Sequence, residues 1–226
     1  MNNFSLHQVL PSKEQIQQLP VFQNLPLQQI QVIHSLQQCH AIEQELKTCA
    51  LFGFDSESKP TFNKGEVSTG PHLIQLASRD KAYLFQISPA ILEFLKPIFE
   101  NKNQMKVGFG LKNDAHLFRK KGIELHNVIE LSKCFSAFGF SNPMGLKNAM
   151  ALLFQVNFPK SKKISTSNWA RKILTPHQIE YAAADAYAPV LVFEELLRLD
   201  LLPKSIPSHL LKLSMQPNTI KAETDA

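Results

Sequence analysis

Cysteine is scarce in this chain, and its placement has no pattern. Cys39, Cys49 and Cys134 are the only three, and no two stand in a CxxC spacing. An odd, sparse set argues against a disulfide framework and against a structural zinc site. It fits a reducing compartment, where a buried thiol acts as a small hydrophobe. The eight histidines include no HxH or HxxxH pair, so they read as surface or core residues rather than ligands. No apolar run approaches the roughly 20 residues that span a bilayer. Residues 1–11 show no charged segment followed by an apolar one, so no signal peptide is expected. With neither anchor nor leader in view, the expected location is the cytoplasm and no membrane partner is expected. Internal repeats and long low-complexity segments are also lacking.

What is present is an ordinary globular composition. Of 226 residues, 44% are hydrophobic and 19% charged, enough to bury a sizeable core without covalent staples. The formal net charge is +5 and the sequence pI is about 9.1. A basic balance is compatible with a polyanionic partner, more so if the acidic residues gather in one place.

Periodicity divides the chain into three parts. Residues 1–27 are Gln- and Leu-rich with three prolines and read as an N-terminal extension, with a short helix over Lys13–Gln18. From residue 28 the pattern becomes that of an α/β domain. Alternation predicts strands at 30–34, 50–57, 72–77 and 82–87, the last two as a hairpin. Short strands are predicted at 106–110 and 128–131. Helices are predicted over 36–48, 89–101, 112–121 and 145–155, with a short one at 167–172 and a long one from Pro176 to about 201. Residues 203–226 lack apolar periodicity and are expected to form a loosely ordered tail. Strands first, then alternating strands and helices, imply a mixed sheet.

The chemistry-bearing residues are carboxylates. Asp55 and Glu57 are two apart at the end of an apolar strand, so they share a face. Two like charges that close either raise each other's pKa or recruit a cation; a solvated strand end is the plain alternative. Tyr181 and Asp185 are four apart on the long helix and share a face there. Alanines at 182–184 and 186 surround them, and small residues let a helix pack closely on a sheet. Asp114 opens a helix after the apolar Val107 segment; it serves either as a third ligand or as an acidic first-turn residue complementing the helix dipole. Pro189 cannot donate to the carbonyl of Asp185 and its ring clashes with it. A kink or local opening is therefore expected over 185–189.

These pieces together resemble the DEDDy 3′–5′ exonuclease domain family, which includes ribonuclease D and the Werner-syndrome exonuclease domain. The matching stretches are GFDSESKP at 53–60, LIQLA at 73–77, KVGFGLKND at 106–114, SNW at 167–169 and LTPHQIEYAAADA at 174–186. They run from about 28 to 202 in the family's order and spacing, and the text from Phe62 to Gly65 is closer to the Werner type. The resemblance implies a ribonuclease H-like (DnaQ-like exonuclease) fold, with a mixed five-stranded sheet flanked by helices, and makes residues 28–202 the exonuclease domain. It implies two divalent cations, Mg²⁺ or Mn²⁺, with Asp55 bridging both, Glu57 and Asp185 completing the first site and Asp114 holding the second. Tyr181 would orient the attacking water, and nucleoside 5′-monophosphates would leave from 3′ ends.

The expected substrate is a single-stranded or frayed 3′ end, DNA first and RNA as the alternative. A catalytically inactive nucleic-acid-binding scaffold is the reading from a different class; the presence of all four carboxylates and the tyrosine speaks against it. Candidate nucleic-acid contacts are Phe109 and Asn113 beside Asp114, and Lys162, Lys163 and Arg171 within a basic run. For these, a solvated loop is the competing reading. Trp169 could stack on a base or pack in the core, and a lone tryptophan among helical residues favours the core.

Overall fold

The computed structural model describes residues 9–61, 65 and 69–214. Most of the 62–65 stretch that resembles the Werner type, and residues 215–226 of the expected tail, lie outside the described residues. The strands are β1 (Ile30–Ile33), β2 (Leu51–Glu57), β3 (Leu73–Ala77), β4 (Ala82–Gln86), β5 (Met105–Gly108) and β6 (Val128–Glu130). They form one sheet in the order β1-β4-β3-β2-β5-β6. The pairs β2–β3 and β3–β4 are antiparallel; β1–β4, β2–β5 and β5–β6 are parallel. The sheet is therefore mixed, but it has six strands where the family resemblance implies five. β1 forms one edge of the sheet, pairing in parallel with the outer side of β4.

Alternation along the central strands explains why both faces are covered. Phe52 and Phe54 of β2, Ile74 and Leu76 of β3, and Tyr83 and Phe85 of β4 share one face. That face is covered by α2 (Leu36–Ala41), α3 (Glu43–Thr48), α4 (Pro89–Phe99) and α5 (Lys112–Lys120). Phe54, Phe99 and Phe118 pack there with ring centroids 5.0–5.7 Å apart. Each fully buried phenylalanine contributes on the order of 1.5–3 kcal/mol relative to exposure. The opposite face carries small residues, Gly53, Ala77 and Ala82, and receives the long helix α8 (Pro176–Arg198) with α6 (Leu146–Phe154) beside it.

Local signals account for most element ends. Thr175 and Gln178 form a capping box at the start of α8, with Pro176 in the first turn. Gln155 closes α6 in the left-handed region. Two helix expectations fail. The helix expected over 36–48 is two helices, because Ile42 adopts φ −115° and ψ 4° and turns its side chain into the core. The short helix expected at 167–172 lies earlier, as α7 (Lys162–Ser165), started by the Ser161 hydroxyl accepting from the Ile164 N–H. Residues 167–172 are instead turns, tied down by Gln178, whose Nε2 donates to Ser167 Oγ and the Asn168 carbonyl. At Pro189, where a kink or local opening is expected, the helix is not interrupted. α8 continues through it to Arg198, so the Asp185 carbonyl simply lacks the donor that residue 189 would have supplied.

Both ends of the chain add structure. α1 (Lys13–Gln18) buries Ile16, and Phe22 packs against Phe158 at 5.2 Å. Beyond residue 203, where a loose tail is expected, α9 (Ser208–Ser214) buries Leu210 against the same core as α8.

Candidate active site and metal centre

The site arises where β2 ends under α8. Asp55 and Glu57 lie on the α8 side of β2, in alternation with Phe52 and Phe54. Gly53, two residues before Asp55, is the point of closest approach. A Cβ there would stand 1.8 Å from the Ala186 carbonyl oxygen. The alanines at 182–184, 186 and 188 are all buried, so no side chain holds helix and strand apart. Asp185 is thereby delivered beside the strand, with Tyr181 one turn earlier.

One carboxylate oxygen each from Asp55, Glu57 and Asp185 lies within 4.8 Å of the others. Asp185 is 5% exposed, and its Oδ1 has no hydrogen-bond partner among the described residues. Three carboxylates in so small a volume resist ionisation. Burial, then the charges of Asp185, Asp114 and Glu57, push the Asp55 carboxyl well above the usual range; the Ser56 N–H, which donates to its Oδ1, works the other way. Burial and the charge of Asp185 push Glu57 up to about 8, against the pull of the Lys160 ammonium. Burial also raises Asp185, opposed by Lys160 and by the Tyr181 hydroxyl. Tyr181 is itself held up by burial and by the adjacent Asp185.

Asp114 stands apart from this trio. It sits in the first turn of α5, on the other side of the sheet, and accepts from the hydroxyl of Ser56, the residue between Asp55 and Glu57. Its charge still reaches Asp55. Burial raises its own pKa and the Ser56 hydrogen bond lowers it. The loop before α5 is fixed by Glu130, which accepts from the N–H groups of Gly110 and Leu111 at 3.0 and 2.8 Å.

The residues fit hard divalent cations. The donor set is all carboxylate oxygen, without sulfur or imidazole, which suits Mg²⁺ and Mn²⁺ chemistry. A bound cation would satisfy the unpartnered Asp185 oxygen and relieve the repulsion within the trio.

A cleft of about 330 Å³ is lined by Asp55 and Asp185 of the trio together with Phe109, Met144, Leu146 and Lys160. Of the candidate nucleic-acid contacts, Phe109 lines this cleft and Asn113 is exposed next to Asp114. Lys162 and Lys163 are exposed on α7. Lys163 and Arg171 line a separate cavity of about 650 Å³ with Asn168 and His177. Trp169 is 0% exposed, so it offers no face to a base. Its indole N–H donates to the Ser165 carbonyl and its ring packs 6.0 Å from that of Tyr181. Ser56 and Glu130 are parts of the site that sequence reasoning missed, while Lys160 fell within the basic run read as a candidate phosphate contact. Lys160 was visible only as one of several basic loop residues, and nothing in its spacing distinguishes the lysine that faces carboxylates from those that face solvent.

The chain matches the 3′–5′ exonuclease domain family over residues 30–199. The chain belongs to that family. The mouse bifunctional 3′–5′ exonuclease/ATP-dependent helicase WRN is 31% identical over 165 residues, which cover 69% of this chain and 11% of WRN. Among solved structures, the exonuclease domain resembles the Aedes aegypti Nibbler EXO domain with a TM-score of 0.68 at 22% identity, covering 85% of this chain and all of that one. It resembles Trypanosoma brucei RNase D, in complex with RNA U12, with a TM-score of 0.65 at 15% identity over 94% of this chain and 77% of that one. These two likenesses establish the fold. The exonuclease domain spans only a small part of the length of WRN.

Proposed function

We propose that this exonuclease domain hydrolyses the terminal phosphodiester at a nucleic-acid 3′ end, using divalent cations held by Asp55, Glu57, Asp185 and Asp114. The observation that carries the reading is the convergence of three carboxylates, Asp185 buried and Asp55 and Glu57 half-buried, within 4.8 Å, two of them lining an open cleft. The catalytic unit is assigned to residues 28–202. Asp55 is central to the trio and would contact both ions; Glu57 and Asp185 would complete one site, and Asp114, from α5, the other. Bound there, two such cations stabilise the attacking and leaving oxygens of an in-line displacement. The Tyr181 hydroxyl, held protonated by burial and by Asp185, would orient the attacking water. Water adds to phosphorus, the bond to the 3′ oxygen of the penultimate nucleotide breaks, and a nucleoside 5′-monophosphate departs. Phe109 and Lys160 face the terminal nucleotide across the cleft, Lys160 supplying positive charge near its phosphate.

A single-stranded or frayed DNA 3′ end is the first substrate, following the greater likeness to the Werner-type relative. RNA is the second reading, favoured by the fold neighbour in complex with RNA U12. The test uses 5′-labelled DNA and RNA oligonucleotides, single-stranded and recessed, with Mg²⁺, Mn²⁺ or EDTA. A ladder shortening from the 3′ end only with metal is expected. Product release in EDTA, or internal cleavage without a ladder, would overturn the assignment.

A further inference from the structure

Gln75 is the one polar side chain of β3, and it is buried completely. Neither its amide nitrogen nor its amide oxygen has a hydrogen-bond partner among the described residues. Its neighbours on the same face, Leu73 and Ala77, and its cross-strand neighbour Leu84 all belong to the apolar layer under α8. A leucine would suit such a position without cost. Leaving a buried donor and acceptor unmade costs on the order of 1–3 kcal/mol per group.

The exception among its neighbours is on the other side. Gln75 stands directly opposite Asp55 in the antiparallel β2–β3 ladder. Opposed residues on one face have Cβ atoms about 4.5–5.5 Å apart, within reach of a glutamine amide. The Asp55 Oδ1 is already engaged by the Ser56 N–H, which leaves its other oxygen open to a donor or a cation. Asp185, beside Asp55, contributes an unpartnered buried oxygen. An orphaned donor thus stands opposite one carboxylate of the site, with an orphaned acceptor on the next.

We infer that Gln75 is a positioning residue: its amide N–H₂, which makes no hydrogen bond as it stands, would on side-chain rotation donate to the Asp55 carboxylate opposite it and fix which lone pairs that carboxylate turns toward cations. This rests on the metal-centre reading above. Hydrogen-bonded partners of ligating carboxylates typically carry 10–100-fold in metal affinity. Gln75→Leu keeps volume and removes the donor. Mn²⁺ binding by the full chain is measured by titration calorimetry, together with the melting temperature in EDTA and the kcat and KM on a DNA oligonucleotide. The expected result is Mn²⁺ affinity lower by about 10–100-fold, with an EDTA melting temperature equal to or above the parent's. kcat falls at limiting Mn²⁺, recovers at high Mn²⁺, and KM is unchanged. Unaltered Mn²⁺ affinity in Gln75→Leu overturns the inference whatever the melting temperature does; should that variant fail to fold, Gln75→Met carries the same comparison. Asp55→Asn separates the two levels. If it loses Mn²⁺ while Gln75→Leu keeps it, only the role of Gln75 falls. If both keep it, the metal centre itself is wrong.

Discussion

Gly53 contributes no chemistry, yet its substitution by alanine should be among the most damaging single-methyl additions in the chain. The added Cβ would lie 1.8 Å from the Ala186 carbonyl oxygen and 2.9 Å from a Val190 methyl. The first obstacle is backbone in the middle of a 23-residue helix, so no rotamer change relieves it. Ordinary contact begins near 3.5 Å, so strand and helix must part by about 1.7 Å. Overpacking of this kind costs about 1–3 kcal/mol, which for a chain of this size lowers Tm by about 2–12 °C. The effect on rate should exceed the effect on stability. Asp55 is carried by the strand and Asp185 by the helix, and a misplacement of about 1 Å between catalytic groups can cost on the order of 100-fold. Gly53→Ala is therefore expected to retain the fold at 25 °C by circular dichroism while cleaving a 5′-labelled oligonucleotide about 100-fold more slowly. A variant with parental Tm and parental kcat would show that α8 and β2 do not set the carboxylate spacing.

Three further outcomes are expected. Asp55→Asn should abolish cleavage yet melt no lower than the parent in EDTA, since it removes a buried charge from a repelling cluster; Mn²⁺ should raise the melting temperature of the parent and not of the variant. In EDTA the parent should lose stability as pH rises from about 4.5 to about 8, the interval between the ordinary Glu57 value and its raised one. There the folded protein binds more protons than the unfolded chain, so unfolding free energy falls with pH; saturating Mg²⁺ should flatten the slope, and an unchanged slope with metal would count against a shared centre. Reversing Lys162 and Lys163 to glutamate should weaken oligonucleotide binding and reduce its salt dependence if those lysines touch phosphates, whereas Lys160→Gln should lower kcat more than it raises KM; identical behaviour of the two variants would contradict a separate role for Lys160 at the carboxylate cleft.

The carboxylates were legible because each rests on a regular element. A two-residue spacing on a strand and a four-residue spacing on a helix fix which side chains share a face before any tertiary contact is known. The alanines around Asp185 signalled close packing for the same reason. Tertiary effects escaped. Ile42 breaks the helix expected over 36–48 because its side chain is buried, a demand that helical spacing alone does not reveal. The segment around Trp169 is held as turns by Gln178, a helix-capping residue whose second task depends on three-dimensional contact. Pro189 was read as an interruption, but one missing hydrogen bond in a long buried helix is absorbed by packing on both sides of it. That Asp114 approaches from the other face of the sheet, through Ser56, follows from the placement of α5 and from no local pattern.

The strand β1 bears on how the domain can be cut and kept soluble. Its register sets Ile30 against Ala82 and Ile33 against Phe85, so every backbone group it pairs on β4 would otherwise lie along an open edge. That edge belongs to a strand whose first four residues are fully buried, the kind of surface that recruits strands from other molecules. A fragment beginning after residue 34 would keep all four carboxylates and still expose this template. The short segment at 30–33 therefore acts as a guard against self-association, and the smallest well-behaved catalytic fragment has to begin before Ile30.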